Sequence, residues 1–360
     1  MRDSWTEATL GDIATIVPGK YLPKNEYVED GDYFVYGSNS IMGKYSKFLI
    51  EPPHTVMAAI GAYAGAVRYS PQPSWVNNNA FGLLVKPSVL PGYFYLWLNS
   101  MLDLSTVVAG TGQPYVQRPS LSATKLVLPP VPDQKRIVDV IDSVAVYIAA
   151  LQQQADDARS ARNAVLHDLL TAGGDDWAET TLGEVALIQQ GQNLAIATLT
   201  TGEYPVYGAN GIVGHFDRWN SDQEVVALGC RGSCGTVHIV TGKAWLANNV
   251  MAIWPKDVSQ IVASFIALAL ETADLRTSGV ISGQVQPQIT RTSLSPLILT
   301  FPSLSDQVRI VEVISAMDAV IHASEQAVTD AKNLRSGLLS DLLSGEHEIP
   351  ATYDRLLGAA

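Results

Sequence analysis

The chain repeats itself, and that repetition restricts its fold more than any other feature of the sequence. Trp5-Thr-Glu-Ala-Thr-Leu-Gly-Asp-Ile-Ala14 returns as Trp177-Ala-Glu-Thr-Thr-Leu-Gly-Glu-Val-Ala186, and Tyr33-Phe-Val-Tyr-Gly-Ser-Asn-Ser-Ile-Met-Gly43 as Tyr204-Pro-Val-Tyr-Gly-Ala-Asn-Gly-Ile-Val-Gly214. Trp75 with Asn78 and Asn79 returns as Trp245 with Asn248 and Asn249. Gly112-Gln113 returns as Gly283-Gln284, and Asp133-Gln-Lys-Arg-Ile-Val138 as Asp306-Gln-Val-Arg-Ile-Val311. The offset stays between 170 and 173 residues. Matches kept in order at a fixed spacing mean one scaffold used twice.

Within each copy the pattern changes once. The first part carries short apolar runs bounded by glycines, Val56–Ile60 and Val225–Leu228, which predict buried strands, and helical stretches at Tyr93–Met101 and Ser259–Glu271. Pro129-Pro130 and Phe301-Pro302 then precede a long helix, with Asp133 and Asp306 at its N-cap or in its first turn. Ile137, Ile141, Val144, Ile148, Leu151, Ala155, Ala158, Arg162, Val165 and Leu169 advance by alternating steps of four and three. Ile310, Ile314, Met317, Ile321, Ser324, Val328, Ala331, Arg335, Leu338 and Leu342 do the same. These are coiled-coil seams on helices roughly 60 Å long.

Two equivalent stripes can bury each other, and an antiparallel pairing relates the halves by an approximate two-fold axis. The alternative is that each helix packs on its own domain. The expected fold is α+β: two mixed α/β domains, 1–131 and 173–303, separated by helices at 132–172 and 304–345, with a tail at 346–360.

Hydrophobic residues make up 47% and charged residues 16% of 360, a globular composition. No apolar run reaches membrane-spanning length, and the first residues lack a secretory layout. Cys230 and Cys234 are spaced unlike a zinc finger and fit a reducing compartment, so a cytoplasmic protein is expected. The net charge of −12 argues at first against nucleic acid. However, residues 1–131 balance to zero, 132–172 carry −2, Asp175 with Asp176 another −2, 177–303 carry −3 and 304–360 carry −5. The acid concentrates in helices and tail, which permits DNA binding through a local patch.

The copies differ where they are polar. Gly19-Lys20-Tyr21-Leu22-Pro23-Lys24 faces Gly191-Gln192-Asn193-Leu194-Ala195-Ile196; Lys44 and Lys47 become His215 and Arg218, and Gly61 becomes Arg231. A pseudo-two-fold protein can present two heads to two short DNA sites, and unlike surfaces imply unlike half-sites.

These residues resemble the specificity subunits of Type I restriction-modification systems, the HsdS family. The likeness lies in Trp-x-x-x-x-Leu-Gly-[Asp/Glu] opening each domain, Tyr-Gly-x-Asn within it and Gly-Gln near its end. It continues through Pro-x-x-x-Gln-x-x-Ile-Val into the helix, closing with Asp168-Leu-Leu and Asp341-Leu-Leu. The resemblance implies two target-recognition domains on a helical spacer, reading a bipartite asymmetric site in double-stranded DNA. It also implies two methyltransferase subunits as partners, with S-adenosylmethionine on them, and restriction subunits using ATP and Mg in a full complex. The alternatives are a Type IIB or methylation-only specificity subunit, a protein-only adaptor, and an enzyme with an unrecognised site.

Catalytic motifs do not emerge. Glu51-Pro-Pro-His54 lacks the amide or Asp and the aromatic residue of an adenine methyltransferase motif; Gly229-x-x-Gly232-x-x-Gly235 has neither dinucleotide nor phosphate-loop spacing. The histidines are scattered, Cys230 and Cys234 read as buried thiols, and no metal is expected. Base and phosphate contacts are expected from Lys20, Lys24, Lys44, Lys47, Arg68 and Arg118 in the first head, and from Gln192, Asn193, Arg218, Arg231, Gln288 and Arg291 in the second. The recurring tryptophans and the Asn pairs are expected to be framework, and Gln113 and Gln284 either fix a loop, the favoured reading, or touch the partner. Arg162 and Arg335 either snorkel from the seam or set its register by pairing with acids such as Asp156, Asp157 or Asp330.

Overall fold

The computed structural model describes residues 4–173, 177–283 and 286–355; Asp175, Asp176, Gln284 and the end of the tail lie outside the described residues. The chain divides into two compact units, Met1–Leu151 with Ala327–Ala360, and Gln152–Gln326.

In unit 1, β1 (Thr6–Thr9), α1 (Leu10–Ile13) and β2 (Ala14–Pro18) open the fold. They lead through a 3₁₀ turn at Lys24–Glu26 into β3 (Tyr33–Tyr36), β4 (Ile41–Tyr45), β5 (His54–Ala58), β6 (Val67–Ser70), β7 (Ser74–Val76) and β8 (Ala80–Val85). Then come α2 (Pro91–Met101), α3 (Leu104–Val107), β9 (Val108–Ala109), β10 (Tyr115–Val116), α4 (Arg118–Ala123), β11 (Lys125–Leu128) and the long α5 (Val131–Thr171). An antiparallel sheet in the order β2-β8-β5-β6 lies at the centre, beside a three-stranded sheet, β4-β3-β7, in which β3 and β7 run parallel. β5 is buried along its whole length because both faces are covered. Met57, Phe81 and Leu83 join the core under α2, while Val56 and Ala80 join Tyr36, Ile50 and Val76 on the other face.

Unit 2 repeats the order: β12 (Ala178–Thr181), α6 (Leu182–Val185), β13 (Ala186–Gln190), β14 (Tyr204–Gly208), β15 (Gly211–Phe216), β16 (Val225–Gly229), β17 (Val237–Val240), β18 (Trp245–Leu246) and β19 (Val250–Pro255). It closes with α7 (Ala263–Thr272), β20 (Ile281–Ser282), β21 (Gln288–Ile289), α8 (Arg291–Leu294), β22 (Ile298–Phe301) and α9 (Leu304–Ser344). Its sheets are β13-β19-β16-β17 and β15-β14-β18, the same pattern. α7 starts four residues later than the expected Ser259. Asp257 closes a turn there, its carboxylate accepting from the Ser259 amide at 2.9 Å, and Gln307 takes the Val262 amide at 3.0 Å.

Both long helices keep their seams. Every seam residue is buried or half-buried. In unit 1, Ile137 and Ile141 at the start of α5 share a core with Leu339, Leu342 and Leu343 at the end of α9. In unit 2 the end of α5, with Val165, Leu166 and Leu169, packs with Ile310, Ile314 and Met317 at the start of α9. The pairing is antiparallel, and the alternative holds as well, because each helical pair end is also part of its own domain's core. Asp133 and Asp306 both fall in the first turn; Ser303 is the cap of α9, its hydroxyl accepting from the Asp306 amide at 3.2 Å.

Candidate functional site

The repeated motifs turn out to be joints. In Thr-Leu-Gly-[Asp/Glu], Thr9 and Asp12 form a reciprocal capping box, as do Thr181 and Glu184. Hydrogen bonds from Thr9 hold the Asp12 carboxyl below the usual carboxylate range, and those from Thr180 and Thr181 do the same for Glu184. Leu10 and Leu182 are fully buried. The glycine that follows lies close to backbone: a Cβ would stand 3.2 Å from the Ser122 carbonyl at Gly11 and 3.0 Å from that of Ser295 at Gly183. The indole N–H of Trp75 donates to the Lys20 carbonyl at 2.9 Å, and that of Trp245 to the Gln192 carbonyl at 3.4 Å. Each indole also meets an aromatic ring edge-on, Tyr45 at 5.2 Å and Phe216 at 5.4 Å.

The glutamine of Pro-x-x-x-Gln is the strongest joint, and its role was missed at the level of sequence although it stood in the quoted motif. Gln134 is 1% exposed; its Oε1 accepts from the Leu90 amide at 2.8 Å, and its Nε2 donates to the Ser88 and Pro129 carbonyls at 3.1 and 2.9 Å. Gln307, also 1% exposed, does the same with Val262, Gln260 and Pro302, each at 3.0 Å. Each glutamine ties the first turn of a long helix to the loop before α2 or α7, completing backbone groups that the interior would otherwise strand.

On this frame the expected contact residues are all exposed. Lys20 leaves β2 beside Trp75, Lys24 sits on the 3₁₀ turn, and Lys44 and Lys47 lie on and just after β4. The Lys44 carbonyl accepts from Val28 at 2.9 Å, so the 20–31 loop and the β4 edge form one surface. Arg68, on β6, donates instead to the Asn39 carbonyl. Arg118 opens α4 with its guanidinium 5.6 Å from the centre of the Phe81 ring. In unit 2, Gln192 and Asn193 follow β13, and Asn193 accepts from Asn248 at 3.1 Å. Arg218 lies 5.3 Å over Phe216. Arg231 and Gln288 face each other across an antiparallel bridge, and Arg291 opens α8 three residues later.

That bridge corrects two correspondences. Ile60 pairs with Tyr115 as Arg231 pairs with Gln288, so Arg231 is the counterpart of Ile60. Gly61 instead matches Gly232, and both adopt positive φ, 93° and 74°. With Tyr115 matching Gln288, Gly283 falls against Gly110, both at positive φ, and not against Gly112. Arg162 is corrected too. It is paired not with Asp156, Asp157 or Asp330 but with Glu271 on α7, at 2.6 Å, and Asp318 on α9, at 2.9 Å; Asp156 pairs with Arg159. Arg335 lines a cavity of about 440 Å³ with Asp139 and Asp142, and its buried Nε has no hydrogen-bond partner. Lys243, not singled out in the sequence, stands 4.0 Å over the ring of Trp219.

The thiol of Cys230 is pushed up by burial, and that of Cys234, likewise raised, lies 2.9 Å from the Pro287 carbonyl. Among the described residues no three His, Cys, Asp or Glu side chains converge as a metal site, and no helix is long and apolar enough to cross a membrane.

Both copies match the Type I restriction modification DNA specificity domain, over residues 2–156 and 174–330, and the chain belongs to that family. It is similar to the Type I restriction enzyme MjaVIII specificity subunit of Methanocaldococcus jannaschii, 22% identical over 195 residues, 47% of this chain. Those residues are 46% of the relative, so the match spans about half its length. The Type I restriction-modification S subunit from M. genitalium has the same fold, with a TM-score of 0.62 and 17% identity over 94% of this chain and 96% of that one. So does the HsdS subunit from Thermoanaerobacter tengcongensis, at 0.51 and 16% over 96% and 98%.

Proposed function

We propose that this chain is the non-catalytic DNA-reading subunit of a Type I restriction-modification complex in the cytoplasm, with residues 1–131 and 173–303 each reading one half of a bipartite asymmetric site. The observation that carries this reading is the contrast between joints and surface. Thr-Leu-Gly-acid, the tryptophans and the buried glutamines make the same contacts in both units. The exposed positions on that frame differ: Lys20 against Gln192, Lys44 against His215 and Tyr115 against Gln288, while the exposed Arg231 stands where unit 1 has the half-buried Ile60. Base edges in a major groove are read by such side chains, while cations around them hold phosphates.

The helices 132–172 and 304–345 would space the heads and present a surface to two methyltransferase subunits. Those partners would bring S-adenosylmethionine, and restriction subunits would bring ATP and Mg; the reaction belongs to them. The test is a domain exchange. Replacing residues 1–131 with the equivalent domain of another specificity subunit, in cells holding the methyltransferase, should change one half of the methylated sequence when modified bases are mapped genome-wide. Change in both halves, or in neither, would overturn the reading.

A further inference from the structure

Each unit builds the same cradle at the foot of its long helices, and among the described residues only one cradle is filled. In unit 1 it is formed by Trp5, Asp133, Ile137 and Leu342, and the segment after α9 lies across it. Ile349 packs into the core, His347, Glu348 and Ile349 close the space to about 10 Å³, and Asp354 reaches Arg136, Oδ1 to Nε at 2.7 Å and Oδ2 to Nη2 at 2.9 Å. In unit 2 the counterparts are Trp177, Asp306, Ile310 and Leu169, and there the space measures about 290 Å³. The differences run the same way residue by residue. Val140 packs against the core of unit 1, whereas its counterpart Val313 is 45% exposed. The Arg136 side chain is 15% exposed and salt-bridged twice, whereas that of Arg309 is 79% exposed and reaches only Asp306, at 3.5 Å.

The way in is alike on both sides. A Cβ at Gly345 would lie 3.3 Å from the ring of Trp5, and one at Gly173 would lie 2.7 Å from the ring of Trp177. After that the two differ. Trp177 and β12 follow Gly173 within five residues of sequence, while beyond Gly345 the described chain runs on across the cradle.

We propose that the open cradle of unit 2 is a docking site for a peptide segment of a partner protein with the chemistry of residues 347–354: a branched apolar side chain, followed about five residues on by a carboxylate. The apolar side chain fills the space over Ile310 and Val313 beside Trp177, and the carboxylate pairs with Arg309. The occupant is a partner rather than a second copy of this chain. A tail that left its own unit 1 would vacate one cradle to fill another, with no net gain of contacts. The site stands on the comparison of the two cradles and does not require that the heads read DNA.

The probe is a synthetic peptide with the sequence of residues 346–355, titrated into the full chain by calorimetry and by Trp fluorescence. One peptide should bind per chain. Arg309→Glu in the protein, or Asp354→Ala in the peptide, should weaken binding at least about tenfold, the worth of one charge-assisted hydrogen bond. In Arg136→Ala protein, whose own tail is loosened, the stoichiometry should rise toward two. No binding to the wild-type chain, or binding insensitive to Arg309→Glu, would overturn the proposal. So would a dimer in light scattering that Asp354→Ala in the protein dissolves, since the occupant would then be a second copy.

Discussion

Units 1 and 2 share strand order and joints, yet each fixes its head to the long helices with a different charged clasp. In unit 2 the clasp is Arg162, on α5, gripping Glu271 of α7 and Asp318 of α9 at once. The matching arginine in unit 1 is Arg335; the chain positions that correspond to those two acids hold Asn99 and Ala145, and the Nε of Arg335 has no partner. Unit 1 is clasped instead at Arg136, by Asp133 and the tail residue Asp354. A duplicated scaffold can keep its neutral buried joints unchanged while its ion pairs drift to wherever an acid arises, because the joints fill unavoidable backbone needs and a half-exposed pair does not.

If that division is right, the largest loss should come from the shared joint and should be equal in both units. Gln134→Ala removes three hydrogen bonds and strands the Leu90 amide, at a cost of about 3 kcal/mol. Gln307→Ala should cost the same within about 1 kcal/mol. Chemical denaturation of each variant, with hydrogen exchange to say which unit loosens, is the check; a loss in one unit alone would mean that the joint is not shared.

Arg162→Leu should act on one unit only. The substitution leaves Glu271 and Asp318 without their cation while an apolar side chain fills the seam, so the net loss is about 1–2 kcal/mol and the chain stays folded. Arg335→Leu should be neutral or stabilising, since it removes an unpartnered buried N–H. Helix register and methylation pattern unchanged in the Arg162 variant would show that the clasp does not set register. Equal losses at the two arginines would erase the contrast between the units.

The repeat, the class of fold and the antiparallel seam were legible in the sequence because periodicity and duplication are carried by residue type alone. The clasps were not. Arg162 sits on the seam next to acids of its own helix, and nothing in the spacing says that it reaches Glu271, more than a hundred residues away. The Ile60–Arg231 correspondence was hidden because the loops after β5 and β16 differ by one residue, and matching the chain by letter set Arg231 against Gly61. Gln134 was visible as part of a motif, but its three partners are backbone groups, which carry no sequence signature. For the expected contact residues, the sequence identified exposed polar positions; Arg68 and Asn193 differ in kind, since the Asn39 carbonyl and the Asn248 side chain already hold them.

Acid should separate the units by a smaller effect. His54 is buried; its Nδ1–H donates to the Glu51 carbonyl at 2.9 Å, which leaves Nε2 to accept from Ser74 at 2.8 Å. Burial lowers its pKa below the ordinary 6.5, so the unfolded chain takes up a proton more readily than the folded one. The stability this gives is complete above about pH 6.5 and is lost as pH falls through the lower folded value. Val225, its counterpart on β16, does not titrate. Protection factors across β5 to β7 should therefore fall between pH 7.5 and 5.5, while those across β16 and β17 hold; parallel loss in both would exclude His54 as the cause.

The tail clasp should show the smallest effect on stability and the most local one. Arg136 holds the Asp354 carboxyl below the usual range, chiefly through their hydrogen bond. The interaction is therefore fully present above about pH 3.8, the ordinary carboxylate value, and is lost as pH falls through the lower folded value. Because the Asp354 side chain is 40% exposed, Asp354→Asn should leave global unfolding nearly unchanged. It should nevertheless raise exchange at residues 345–355 and speed proteolysis there at neutral pH, making unit 1 resemble the open foot of unit 2. If instead the whole of unit 1 loosened, the tail would be part of that unit's core rather than a strap laid over it, and the two feet would differ by more than occupancy.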